Sequence, residues 1–194
     1  MTNPQAALEE LEQIHFKEKK VLSCLKRCRK KLSFKSSIDL WNLASLAKWL
    51  YIYGYDDHAL HVCHIIDDVE FTGDFQIWTP VEDLLLLETR LYRERKNKKQ
   101  AKKLAARILT PMAPHLEAFH RRLSFDWLND ESIARCLKNH DLRAANEWRF
   151  SDLGSLFFIR ELGEGQLDIH GQRVDSAQAE ERIIAYKRIL QQVK

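Results

Sequence analysis

Apolar residues recur along this chain at a spacing of about three to four, and the breaks between periodic stretches fall at capping residues, glycines or prolines. From Pro4 to about Leu32, the residues Leu8, Leu11, Ile14, Val21, Leu22, Leu25 and Cys28 follow one helical period, which predicts a single long amphipathic helix. Ser33 to Ser37 breaks it, and Ser37 is placed to cap the helix that carries Leu40 to Tyr53. Asp56 or Asp57 starts the next helix, which ends near Asp67. Thr79, Pro80 and Glu82 supply a capping residue, a proline at the first helical position and an acid in the first turn, so a helix is expected from there to about Lys96. Its partner runs from about Lys98 to Leu109.

Beyond the proline-marked corner at Thr110 to Pro114, the pattern predicts short helices over Pro114 to Leu123 and from Asn129 or Asp130 to about Lys138. A longer helix, capped by Asp141, carries Leu142, Ala145, Trp148, Leu153, Leu156, Phe157 and Leu162 on one side and stops at Gly163. An alternative pairs Leu156 to Ile159 with Leu167 to Ile169 as a small β-hairpin near 156–170. Asp175 or Ser176 opens a last helix with Ala179, Ile183, Tyr186, Ile189 and Leu190 inward. The fold class is therefore all-α: antiparallel helix pairs in one bundle, a single domain over 1–194. Hairpins occupy about 38–110 and a C-terminal helical part about 114–193.

Two stretches read as copies of one helix–turn–helix unit. In Leu43 to Ile66, the first helix carries Leu43, Leu46, Ala47 and Leu50, Gly54 closes the turn, and Ala59, Cys63 and Ile66 form the second inner face. In Leu85 to Ile108, the residues Leu85, Thr89, Tyr92, Lys96, Ala101, Ala105 and Ile108 fall at matching offsets. This spacing resembles a tetratricopeptide repeat, with departures: Lys96 stands at the turn glycine and Glu88 at a usual leucine. The resemblance implies a stacked helical scaffold that binds other proteins. Two hairpins alike by chance within an ordinary bundle is the competing account.

Charge changes this picture more than composition does. Lys17 to Lys35 holds nine basic residues against Glu18, and Arg90 to Arg107 holds nine against Glu94. Between them Asp67, Asp68, Glu70, Asp74, Glu82 and Asp83 meet no Lys or Arg in their own segment, so the overall charge of +3 conceals a bipolar field. The basic runs lack the interleaved aromatics of a single-strand binder and the polar face of a recognition helix, so they read as solvated faces and nucleic acid is not the expected partner. No apolar run is long enough for a membrane span. The polar N-terminus and the unpatterned Cys24, Cys28, Cys63 and Cys136 lead to the expectation of a reduced, cytoplasmic protein.

Catalytic signatures are missing from the sequence: there is no nucleophile elbow, phosphate-binding glycine loop or zinc-protease helix. No enzyme activity and no cofactor are expected. His58, His61 and His64, near Cys63 and Asp67, form the one metal-like cluster, but the second ligand pair that a structural zinc site draws on is missing. The expected partner-binding residues lie instead in the acidic, aromatic connector: Asp67, Asp68, Glu70, Phe71, Asp74, Phe75, Trp78, Glu82 and Asp83. Large aromatics anchor interfaces and carboxylates steer encounters. The alternative is that the aromatics fold back onto the helices.

By type, the chain resembles the small helical immunity proteins of bacterial polymorphic toxin systems. That resemblance implies a protein that binds one cognate toxin domain and blocks its active site or substrate access. An acidic, aromatic connector suits that role, since it can occupy a basic cleft of a nuclease or nucleotide-using transferase and imitate the substrate's charge. The other reading is a helical-repeat adaptor or chaperone that holds a peptide with outward residues such as Asn42, Lys48 and Arg93.

Overall fold

The computed structural model describes residues 4–28, 32–112, 142–163 and 173–193. Among them are eight α-helices: α1 (Pro4–Glu12), α2 (Lys19–Cys28), α3 (Ser37–Ile52), α4 (Asp56–Cys63), α5 (Phe75–Glu94), α6 (Lys98–Met112), α7 (Leu142–Leu162) and α8 (Ser176–Gln191). The all-α expectation holds. Two compact units divide the chain between Leu104 and Ala105, within α6.

The long helix expected over 4–32 is two helices. In one straight helix, the buried set Ala7, Leu8 and Leu11 and the buried set Val21, Cys24, Leu25 and Cys28 would point about a quarter turn apart. A bend at 13–18 lets both sets face the core. Phe16 holds the bend: its buried ring meets Tyr55 edge-on at 5.0 Å and His58 at 5.8 Å. Leu22, expected inward, is exposed.

α3 is the central helix of the first unit and packs against α2, α4 and α5. Ser36, one residue before the expected cap, accepts a hydrogen bond from the Asp39 amide. From Leu43 onward α3 is apolar nearly all round, with Leu43, Ala44, Leu46, Ala47, Leu50, Tyr51 and Ile52 buried; a helix with that pattern needs neighbours on several sides. Two pairings fix the sense of its contact with α5. Lys48 meets Asp83, and Tyr51 meets Arg90, so both sequences ascend together and the two helices run parallel. α4 runs opposite to α5, because Asp57 at its start meets Arg95 and His64 just past its end meets Tyr92.

The turns that follow α3 and α5 are built alike. After α3, the Tyr55 amide donates to the Leu50 carbonyl and the Gly54 amide to Tyr51, with Gly54 at φ +83°. After α5, the Asn97 amide donates to Tyr92 and the Lys96 amide to Arg93, with Lys96 at φ +61°. This is the Schellman ending, in which the residue past the cap is left-handed. Lys96 is the sole non-glycine residue with positive φ among the described residues. The left-handed region costs an L-residue roughly 1–2 kcal/mol, partly offset by the greater chain entropy that a glycine loses. Lys96→Gly is therefore expected to stabilise the fold by about 0.5–1 kcal/mol in urea unfolding.

The helix expected to start at Thr79 begins earlier, at Phe75. Asp74 caps it, its carboxylate accepting from the Gln76 and Ile77 amides. Pro80 thus lies inside α5 and forgoes the bond to the Gln76 carbonyl, while Thr79 uses its hydroxyl on the Phe75 carbonyl. The first-turn signal at Thr79–Glu82 was outweighed by this cap and by the burial of Trp78 and Val81.

In the second unit α7 and α8 pack together. Asp175 and Gln178 form the capping box that opens α8, and Gly163 at φ +66° ends α7. Leu156 to Ile159, the alternative strand, is helix interior: all four residues are buried, with Leu153 one turn earlier. Leu167 to Ile169, the two short helices expected between Pro114 and Lys138, and the Asp141 cap lie outside the described residues.

Candidate functional site

The nine connector residues separate into a rim and a core. Asp67, Asp68, Glu70 and Asp74 are exposed, and Phe71 and Phe75 are half-buried. Trp78 is 2% exposed and Glu82 4%, which removes both from any surface a partner could touch. Asp83 is mostly buried and holds Lys48 at 2.9 Å. Phe71 bridges rim and core, its ring 5.3 Å from Phe75 and 5.4 Å from Trp78. The loop itself is only Asp67 to Asp74, following the short 3-10 turn His64–Ile66. The aromatics fold back onto Trp78, and the same loop carries an edge of four carboxylates. Asp74 is held by its own carboxylate as well, which caps α5.

Charged side chains whose pairing does not show in the sequence line both faces of α5. Toward α3, the Arg90 Nε donates to the Tyr51 hydroxyl at 2.7 Å, and its Nη2 lies 2.9 Å from the Glu94 carboxylate. Tyr51 in turn donates to Glu94 at 3.1 Å. Burial pushes the Tyr51 phenol well above its ordinary pKa, so it stays a neutral donor. Lys48, expected outward as a peptide contact, is 4% exposed and paired with Asp83. These groups did leave a trace in the sequence: Lys48 interrupts an apolar stretch, and Glu88 and Arg90 follow four consecutive leucines.

Toward α4, Glu88 is 1% exposed, with one carboxylate oxygen 3.5 Å from the His64 Nε2. That nitrogen is also 3.1 Å from the Tyr92 hydroxyl, and the two rings stack. Glu88 raises the His64 pKa; burial opposes it, Asp67 adds to it and Arg95 subtracts. A histidine bound more tightly when protonated stabilises the fold fully below its unfolded value of about 6.5. That contribution disappears as pH rises through the higher folded value. Relative to His64→Gln, the wild-type thermal midpoint is expected to fall over that window; parallel curves for the two proteins would contradict the assignment.

The metal-like cluster does not assemble. His58 lies against Phe16 and Tyr55, His61 faces Glu10, and His64 faces Glu88 and Tyr92. Among the described residues, no group of three or more His, Cys, Asp and Glu side chains could hold a metal ion. Cys63 is fully enclosed, and its thiol is pushed up by burial. Lys98, Lys99, Lys102 and Lys103 point to solvent on α6. No helix among the described residues is long and apolar enough to cross a membrane.

Fold and site together define an all-helical protein with charged helix seams and an exposed acidic loop edge. The chain belongs to a family of unknown function, DUF6707, whose profile matches residues 1–186. No curated protein and no solved structure matches it.

Proposed function

We propose that this protein is a non-enzymatic binding module whose acidic edge meets a basic surface of another protein, acting as an immunity protein that covers a toxin domain. The observation that carries this reading is the edge itself: Asp67, Asp68, Glu70 and Asp74 are exposed on backbone held by an aromatic stack and a helix cap. Carboxylates carried on a backbone held before the encounter leave only side-chain freedom to lose on binding, and they steer a cationic surface toward them.

Asp68→Lys combined with Glu70→Lys tests the edge without touching the cap or the His64 cluster. The thermal transition is expected to stay within a degree or two of wild type, as exposed substitutions cost about 0.5 kcal/mol or less. Affinity for the protein recovered with tagged wild type from its native cells should drop roughly ten-fold or more, chiefly through a slower on-rate. Unchanged affinity would sink the reading. The parallel placement of α3 and α5 with α4 antiparallel to both supports the second reading, a repeat adaptor, since successive hairpins stack that way. An adaptor would bind an extended peptide and tolerate the edge reversal.

A further inference from the structure

The loss of Trp78 to the core leaves the acidic edge without its expected anchor, and α3 offers a replacement. Ile38 is 72% exposed and Trp41 40%, one turn apart on the same side of the helix. Exposed large apolar side chains paired in this way mark contact surfaces more often than isolated ones do. Trp41 lies toward α5: the Lys48 Nζ sits 5.9 Å from its ring centroid and 2.9 Å from the Asp83 carboxylate.

The register between the parallel helices places this pair. Lys48 and Asp83 are 35 residues apart in sequence, and Tyr51 and Arg90 are 39 apart. The same offsets set Ile38 and Trp41 level with residues 73–80, the start of α5. Asp74 caps that end, and Glu70 and Asp68 lead into it. Apolar anchors and acidic edge therefore belong to one end of the α3–α5 layer. Lys48, the cation over Trp41, is already neutralised by Asp83 and does not oppose an incoming positive charge.

We propose that Ile38 and Trp41 anchor the apolar stripe of a basic amphipathic helix of the partner, whose lysines or arginines reach Asp68, Glu70 and Asp74. This rests on the acidic-edge reading and names the element that the edge receives. A helix presents apolar residues at i, i+3 and i+4, matching the one-turn spacing of Ile38 and Trp41, while its flanks can carry the cations.

The test uses the full chain and three labelled synthetic helices of equal length, followed by fluorescence anisotropy: an amphipathic Lys/Leu peptide, its Glu/Leu counterpart, and a Lys/Ser peptide. The Lys/Leu helix is expected to bind roughly ten-fold more tightly than either control. Ile38→Asp should weaken it at least about ten-fold, and Trp41→Ala several-fold, with circular dichroism unchanged for both. Asp68→Lys with Glu70→Lys should weaken it comparably. Loss on edge reversal but not on Ile38→Asp or Trp41→Ala would overturn the anchors and leave the acidic edge standing. Indifference to all three variants would overturn both, as would absence of Lys/Leu binding. Preference for the Glu/Leu peptide would overturn the charge assignment.

Discussion

Trp78→Ala is expected to destabilise the first unit by about 3–5 kcal/mol, the cost of emptying a fully buried indole site. Trp78 sits in the first turns of α5, 2% exposed, with Phe71 packed across it. Truncation removes apolar burial and leaves a cavity that Phe71 and Phe75, tied to the loop, can fill only in part. The urea midpoint should fall with little change in slope. A shift below about 1 kcal/mol would mean that Trp78 is peripheral and free to serve as a surface contact. Adding Asp74→Ala should cost roughly 1 kcal/mol more through the lost cap. The two residues share one helix start, so the effects need not sum.

Ala59→Trp should prevent the fold from forming. Ala59 has no exposed surface, and it lies in α4, which packs against α1, α3 and α5. Overpacking by smaller increments costs about 1–3 kcal/mol, and a whole indole inserted at a fully enclosed alanine exceeds that range. That loss is a large share of the roughly 5–15 kcal/mol that hold a folded domain together. Circular dichroism should show lost helicity and no cooperative transition. A native-like melting curve would show that α4 can move away from its neighbours, and would remove the close helix contact from the account.

The hairpin core was legible because its signals are local and periodic. Spacing alone places Leu43, Leu46, Ala47, Leu50, Ala59, Cys63 and Ile66 inward, and all are buried. Gly54 and Asp175 announced a turn and a cap by residue type. Helix boundaries were harder wherever two local signals competed. Thr79–Pro80 advertised a helix start, but Asp74 captured it because a buried Trp78 favours helix from Phe75 onward. The bend at Phe16 could not be read from periodicity, since the partners of Phe16 lie some forty residues away in Tyr55 and His58. The site was half legible for the same reason. Acidity located the edge, whereas the burial of Trp78 and Glu82 and the pairing of Asp83 with Lys48 depend on how α3 meets α5. Ile38 and Trp41 gave no warning either, because an apolar residue in an apolar helix looks like core until its neighbours are placed.

Whether the acidic edge recognises a basic protein surface is tested most directly by parallel co-purification. Tagged wild type and the Asp68→Lys, Glu70→Lys variant would be recovered from the native cells, and each bound fraction then titrated with salt. One stoichiometric protein is expected on wild type, released as salt rises and missing from the variant. The same protein at equal yield on both, or nucleic acid in its place, would contradict it.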